Sequence, residues 1–152
     1  MKKIIAGLGF LCFLFLSNPS DAQKIKLLSG DLDFLEGQTE LMVEYVYDGM
    51  AVGKFDKEED YIEKKVTDYN KKEEGKGDEW LENWKADRTE RFEPKFEELM
   101  NNYLDSKDVN VGQDNLDAPY TIILKTDFTE PGFNVGVMRK PAMIDVTITF
   151  VE

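Results

Sequence analysis

The sequence lacks the side chains on which most enzyme active sites are built. It contains no histidine and a single cysteine, Cys12, among 152 residues. Beyond residue 22 its only serines are Ser29 and Ser106. Without an imidazole neither serine can belong to a Ser-His-Asp triad, and zinc, copper and haem sites lack their usual ligands. Carboxylate or tyrosine chemistry, calcium binding, or no catalysis remain, and the sequence predicts no cofactor.

Positive charge is also scarce. Lysine and arginine number 19 against 31 aspartates and glutamates, which gives a formal net charge of −12. Such a surface repels nucleic acid and anionic lipid, so we expect neither as a partner. The charge is spread along the chain, and aromatic residues make up 12% of it. This composition indicates a folded domain rather than a disordered acidic segment.

The first residues have the pattern of a signal peptide. Two lysines precede an apolar run over residues 4–16, which is too short to span a bilayer. A polar stretch ending in Asp21-Ala22-Gln23 follows, and it predicts cleavage after Ala22. We therefore expect residues 1–22 to be a signal peptide and the protein to be exported, either to the periplasm or out of the cell.

The processed chain would be a single domain over residues 23–152. Its 130 residues suffice for one hydrophobic core. Processing removes the cysteine together with two lysines and one aspartate, which changes the net charge from −12 to −13. No transmembrane segment is expected after processing.

A candidate calcium loop near residue 30 fails on inspection. Asp31 and Asp33 are spaced like the first ligands of an EF-hand. That motif then needs an oxygen ligand where Leu35 stands and a glycine where Glu36 stands. We therefore predict no metal site.

Four segments alternate in the manner of β-strands. They are "KIKLLSG" (24–30), "TELMVEYVYDG" (39–49), "PYTIILKTDF" (119–128) and "AMIDVTITFVE" (142–152). The third is almost continuously apolar, which predicts a central strand. Before the fourth, "FNVGVMRKP" (133–141) is interrupted by a glycine and ended by a proline, so we expect a loop or an irregular hairpin tip.

Two helices are predicted between the second and third of these strands. The first carries an apolar stripe at about 100° per residue and begins with a capping box of Asp56 and Glu59. The second begins with Asp78 as its cap and continues past Pro94. Because proline lacks a backbone donor, we expect a kink or restart just before it.

These elements predict an α+β fold. We expect a two-layer sandwich in which a mixed sheet of four to five strands carries two helices packed on one face. The helical crossover should join parallel strands, and the last two strands should be antiparallel. The final strand is apolar on one face and stops at Glu152 without a closing turn. We expect it at or beside a sheet edge, next to apolar surface that a missing C-terminal part or a partner chain covers. The 152-residue chain should then self-associate through this strand, and a longer chain should be monomeric.

Arg88 and two tryptophans are the first candidate binding residues. Arg88 projects into the apolar stripe four residues after Trp84. Its stem can pack across the Trp84 ring while the guanidinium reaches a carboxylate at the sheet edge, or it can bind the carboxylate or phosphate of a ligand. Trp80 and Trp84 lie one turn apart, where they can form core or stack on sugar rings.

Arg139 and Lys140 are the second candidate site. They form the only basic pair without an adjacent acid beyond residue 22, and they fall in the expected loop or hairpin tip. Such connections carry binding residues more often than strands do. No residue is assigned a catalytic role.

Two stretches carry a resemblance. "RFEPKFEELMNNYL" and "EPGFNVGVMRKPA" resemble segments of uncharacterised exported proteins of Bacteroidetes-type bacteria, over most of the processed chain. The resemblance implies no activity, and it implies a further strand and helix beyond residue 152. The order of elements is also similar to the periplasmic α/β domain of outer-membrane assembly lipoproteins, although this chain lacks their lipobox cysteine.

Two functions follow from the sequence. The first is an exported, non-catalytic protein of the cell envelope or the medium that binds a protein or glycan partner. The alternative is a carboxylate-dependent carbohydrate hydrolase, which needs two carboxylates about 5 to 10 Å apart across a cleft. A concave pocket holding such a pair, one of them with a raised pKa, would distinguish the two.

Overall fold

The computed structural model describes residues 25–152. The predicted signal peptide and its cleavage site lie outside these residues. The chain divides into two units, Met1–Phe34 and Leu35–Glu152. The second unit contains every strand and α-helix described here. Within residues 25–152, each helix falls short of the length and apolarity needed to cross a bilayer.

The described part of the first unit differs from the prediction. Residues 25–30 form no strand, and Ile25 and Leu28 are exposed. An alternating sequence gives a strand one apolar face. A strand also needs a neighbouring strand that hydrogen-bonds to its backbone, and the sequence pattern does not specify that neighbour. A single turn of 3₁₀-helix follows at Asp33–Leu35. At its start the Asp33 amide donates a hydrogen bond of 3.1 Å to the Asp31 carboxylate.

The second unit contains a five-stranded mixed sheet and a two-stranded hairpin. The strands are β1 Glu40–Val46, β2 Ala51–Val52, β3 Asn110–Gly112, β4 Thr121–Glu130, β5 Phe133–Val135, β6 Met138–Lys140 and β7 Met143–Val151. On one side, β4 pairs with β1 near its start and with β2 near its end, and both are parallel to it. The other side of β1 pairs with β3, which is also parallel. On the other side β7 is antiparallel to β4. The predicted α+β class, the parallel crossover and the antiparallel final pair are confirmed.

The core lies where the two long parallel strands meet. Val43 is opposite Ile122 and Tyr45 is opposite Leu124, so these side chains share one face of the sheet. The residues of this core that are buried are Leu41, Val43, Val111, Ile122 and Leu124. β4 has neighbours on both sides, which explains its nearly continuous apolar sequence.

The helices begin and end at other residues than the capping pattern predicts. They are α1 Glu58–Asn70, α2 Lys76–Asp87 and α3 Glu93–Leu104. Lys57 rather than Asp56 precedes α1, and no side chain caps that end. Three acidic residues in the first turn of α1 stabilise its positive end instead. α2 begins after Gly75, whose φ of 81° allows the reversal from α1, and not at Asp78.

The predicted restart before Pro94 is confirmed. A π-helical turn over Arg88–Phe92 separates α2 from α3, and proline stands in the first turn of α3, where its missing donor costs no hydrogen bond. Phe92 and Phe96 pack beside the core and meet the Tyr45 ring edge-on, at 6.2 and 5.9 Å between ring centroids. The helix layer therefore covers β1 and the neighbouring part of β4.

The last strand lies at a sheet edge, as the sequence predicts. One face of β7 carries Ile144, Val146 and Ile148, whose exposed fractions are 42%, 40% and 47% in that order. The helices that bury the matching face of β1 and β4 therefore leave most of β7 uncovered.

Candidate functional site

Arg88 is tied into the protein by a carboxylate on another helix. It is the first residue of the π-helical turn, and its guanidinium donates to Oε1 of Glu58 in the first turn of α1. The indole Nε1 of Trp84 donates to the same oxygen at 2.5 Å. The Glu58 side chain is 14% exposed. A carboxylate so placed is stabilised by one cationic and one neutral donor.

The aromatic partner of Arg88 differs from the predicted one. The guanidinium carbon lies 4.2 Å from the centroid of the Tyr47 ring, whereas the expected stacking was on Trp84. The carboxylate also comes from α1 and not from the sheet edge. A helical wheel shows which way Arg88 points, but only the packing of α1 against α2 brings Glu58 within reach.

A polar network continues from Tyr47 toward β3. The Tyr47 hydroxyl donates to Oε1 of Glu93 at 3.0 Å, and the Gln113 amide donates to Glu93 and Glu97 at 3.3 and 3.2 Å. The Tyr45 hydroxyl is 3.1 Å from the Glu93 carbonyl oxygen and 3.4 Å from the Glu97 carboxylate. We call these five residues the Glu93 network. Sequence reasoning missed them, because nothing in the sequence distinguishes Glu93 from the other glutamates around Pro94.

The electrostatics of this network keep both phenols neutral. Burial raises the pKa of Tyr45 far above its usual range, and the nearby Glu97 and Glu93 carboxylates raise it further. Burial likewise raises the pKa of Tyr47, followed by its hydrogen bond to Glu93. Neither hydroxyl can act as a base near neutral pH. Their chemistry is that of hydrogen-bond donors to Glu93, which is only 6% exposed.

Trp80 and Trp84 lie in an aromatic cluster. Their rings stack at 5.5 Å with an interplanar angle of 23°, and Tyr61 and Tyr69 lie 5.8 and 5.9 Å from Trp80. The cluster packs against the second part of the core, which Met50, Val52 and Tyr61 form. Burial raises the pKa of Tyr61 to about 12. Much of the ring surface that would stack on a sugar is thus in contact with other rings.

Arg139 and Lys140 lie on a different element, the β5–β6 hairpin. Lys140 is opposite Phe133 and donates to Oε2 of Glu130, the last residue of β4. This link holds the pKa of Glu130 below its usual range, and a hydrogen bond from the Gly132 amide adds to the effect. Arg139 is exposed opposite Asn134, and within residues 25–152 no acid pairs with it.

The same hairpin exposes apolar side chains that sequence reasoning passed over. Phe133, Val135 and Met138 are exposed, and Val137 at the turn is 104% exposed. The cross-strand pairs put Val135 opposite Met138 on the same face as Phe133. The alternation of Phe133, Asn134 and Val135 before Gly136 is the signal that could have found part of this group. The structure thus gathers Arg88, Trp80 and Trp84 around α2 and puts Arg139 and Lys140 on the hairpin.

No family model, curated protein or solved structure matches the chain. Its function must therefore be argued from its surface. Two shallow depressions described on that surface both lie along α1, and neither is lined by Glu93 or Glu97. Among residues 25–152, no group of three or more acidic, cysteine or histidine side chains is arranged to hold a metal ion.

Proposed function

We propose that this is an exported, non-catalytic binding protein of the cell envelope or the medium, and that the β5–β6 hairpin recognises a protein partner. The observation that carries the proposal is the group of exposed apolar side chains on two three-residue strands. A hairpin of this size gains little stability from such side chains while they face water. Their exposure is typical of a surface that becomes buried on binding.

Charge supports a defined class of partner. The chain carries a net charge of −12, yet Arg139 is exposed on this hairpin, and within residues 25–152 no acid pairs with it. An arginine next to exposed apolar side chains favours a partner with an apolar groove and an acidic edge, because complementary charge speeds encounter and selects orientation. We therefore propose a protein groove of that chemistry as the ligand of the hairpin.

A glycan partner is less well supported by the geometry. The two tryptophans that could stack on sugar rings contact each other and two tyrosines. Arg88 is likewise engaged by Glu58 and Tyr47. These three candidates therefore stabilise the helix layer in our proposal. Of the two basic residues of the hairpin, Arg139 contacts the partner and Lys140 stays paired with Glu130.

The hydrolase alternative rests on one observation. Glu93 and Glu97 both accept from the Gln113 amide, so two carboxylates converge as they do in some glycosidases. However, the Glu93 oxygens are engaged by Tyr47 and Gln113, and sugar would have to displace them. Replacing Glu93 with glutamine tests this alternative, since the variant should lose any glycan hydrolysis that the natural protein has.

Site-specific photocrosslinking tests the hairpin directly. A benzophenone amino acid replaces Val137 at the tip, and the protein is irradiated with the envelope and medium fractions of the producing cells. Leu116, an exposed loop residue, carries the same probe as a matched control. We expect one discrete crosslinked protein at position 137 and not at 116, and its loss when Arg139 is changed to glutamate. Crosslinking that is equal at both positions, or absent, would reject the proposal.

The compartment has its own test. Intact mass spectrometry of the protein from the periplasm and the medium should give a chain that begins at Gln23. A form that keeps Met1 and stays in the membrane would contradict export.

A further inference from the structure

The outer edge of β7 is open and unprotected. This nine-residue strand pairs with β4 on its inner side, and no strand within residues 25–152 pairs with its outer side. Asp145 is its only charged residue, and it contains no proline or glycine. The one irregularity of the pair leaves the extra residue, Asp127, on β4, so β7 itself is continuous. Natural edge strands usually carry charges, prolines or bulges that prevent further pairing.

Helix α3 extends the apolar surface beside this edge. Asn101 exchanges hydrogen bonds of 2.8 and 2.7 Å with the backbone of Val111, so the Asn101 side of α3 faces β3. Leu99 and Tyr103 lie on the other side of the helix, toward β4 and β7, and Tyr103 is 82% exposed. We call the surface formed by Leu99, Tyr103, Ile144, Val146 and Ile148 the uncovered face.

We propose that a second copy of this chain covers this face, by antiparallel pairing of the two β7 strands about a twofold axis at Thr147. In this register Val146 is opposite Ile148 of the other copy and Ile144 is opposite its Phe150. On the other face of the sheet, Asp145 is opposite Thr149. Apolar residues thus meet apolar residues and polar residues meet polar ones along the whole strand. Any antiparallel register with its axis on a residue keeps the two alternating faces matched, and an axis at Thr147, the middle residue of β7, gives the longest overlap.

Charge restricts where two copies can meet. Two copies of a chain with net charge −12 repel each other, so they can meet only along a strip with little charge. The uncovered face carries no charged side chain. In the proposed register the two Asp145 carboxylates are four residues apart along the sheet, about 14 Å. This exceeds the screening length of about 8 Å at physiological salt.

The size of the contact predicts a reversible dimer. Nine residues span about 30 Å of edge, and the sheet and helix layers add a depth of about 20 Å. The surface buried on each copy is therefore about 600 Å², which is at the low end for specific complexes. We expect dimer and monomer to interconvert with protein concentration.

Disulfide trapping tests the register, because the chain has no cysteine beyond residue 22. Residues opposite each other on antiparallel strands have Cα atoms about 4.5 to 5.5 Å apart, within disulfide range. Thr147→Cys lies on the proposed axis and should give a covalent dimer under mild oxidation. Thr149→Cys lies on the same face of the same strand, about 14 Å from its counterpart in the other copy, and should not.

A second pair of variants tests the uncovered face without cysteine. Val146→Lys should raise the dimer dissociation constant at least tenfold in sedimentation velocity, because it puts a charge opposite Ile148. Thr149→Lys should preserve the dimer, since its ammonium faces Asp145 of the other copy. Val146 is already 40% exposed, so the folded monomer should tolerate the lysine. Crosslinking at Val137 should be unchanged in both variants, which separates this inference from the proposed function.

Three results would overturn the inference. One is a processed protein that stays monomeric at every concentration measured. Another is equal trapping at positions 147 and 149. The third is a dimer that Val146→Lys leaves unchanged.

Discussion

Two glutamates fix the helix layer, Glu58 by joining α1 to α2 and Glu93 by joining α3 to residues that follow β1 and β3. Glu58 accepts from Arg88 and Trp84, and Glu93 accepts from Tyr47 and Gln113. In a chain with so many acids, most carboxylates face water, and these two are buried or nearly so. A buried carboxylate is stable only when hydrogen-bond donors surround it. Loss of one donor therefore lowers the free energy of unfolding by the desolvation penalty that this donor had offset.

Replacing Arg88 with methionine tests this at the residue scale. The apolar stem is kept, but Glu58 loses its cationic partner while it stays largely buried. We expect the free energy of unfolding to fall by about 1 to 4 kcal/mol, measured by urea denaturation. Arg91→Met is the matched control, because its pair with Asp87 is exposed and should contribute less than about 1 kcal/mol.

A double variant sharpens the interpretation. Changing Glu58 to glutamine together with Arg88→Met removes the unpaired charge and should recover part of the lost stability. If Arg88→Met leaves stability unchanged, Arg88 does not have the structural role assigned to it here.

At the scale of elements, α1 and α2 approach most closely at one glycine. The Gly77 amide donates to Oδ1 of Asn70 at 2.7 Å, and a Cβ at this position would lie 2.4 Å from the Val66 carbonyl oxygen. The obstruction is backbone, which cannot rotate away. The helix hairpin therefore depends on the absence of a side chain at its corner, and the position of Trp80 and Trp84 depends on the hairpin.

Gly77→Ala should destabilise the protein even though alanine is the better helix former. The clash with Val66 must push the two helices apart, and we expect a loss of about 1 to 3 kcal/mol in urea unfolding. Gly112→Ala is the control, since its Cβ would meet nothing closer than 3.7 Å. A loss in Gly112→Ala as large as that in Gly77→Ala would show that the close approach is not the cause.

The β5–β6 hairpin is joined to the sheet by the Glu130–Lys140 link, and this predicts a pH dependence. Because folding lowers the pKa of Glu130, the link stabilises the fold above the ordinary value of 4.5. That stability is lost as the pH falls through the lowered folded value. Lys140→Met should therefore be less stable than the natural protein at about pH 7, and the difference should shrink as the pH falls below the ordinary value of 4.5.

Chemical denaturation at several pH values measures this difference. Lys125→Met is the control, because its ion pair with Asp127 is exposed and spans 3.5 Å. A difference between Lys140→Met and the natural protein that stays constant down to the lowest pH would contradict the prediction.

At the scale of the whole molecule, charge opposes both folding and association. A net charge of −12 on 152 residues repels itself in the compact state. Added salt screens this repulsion, since the screening length falls from about 30 Å at 10 mM to about 8 Å at 150 mM. We expect the melting temperature to rise over this range in scanning calorimetry. Sodium chloride and potassium chloride should act alike, and a melting temperature that falls with salt would contradict the prediction.

The sequence by itself determined the class of fold and the order of its elements. A repeat of apolar residues every two or every 3.6 positions is a local property of the sequence. The first specifies a strand and the second a helix, wherever one face must pack against the core. The parallel pairing of β1 and β4 was predictable because the helical connection between them is long enough to cross over the sheet. The helix restart before Pro94 was predictable because proline lacks a backbone donor.

The tertiary structure alone decided which residues meet. The partner of Arg88 is 30 positions away on α1, and the buried Glu93 depends on Tyr45 of β1, on Tyr47 just after that strand and on a glutamine after β3. No local period encodes such contacts, because they depend on how helices and strands pack in three dimensions. For the same reason residues 25–30 alternate like a strand and yet form none, whereas the exposed faces of β7 and of the hairpin emerged only from the folded arrangement.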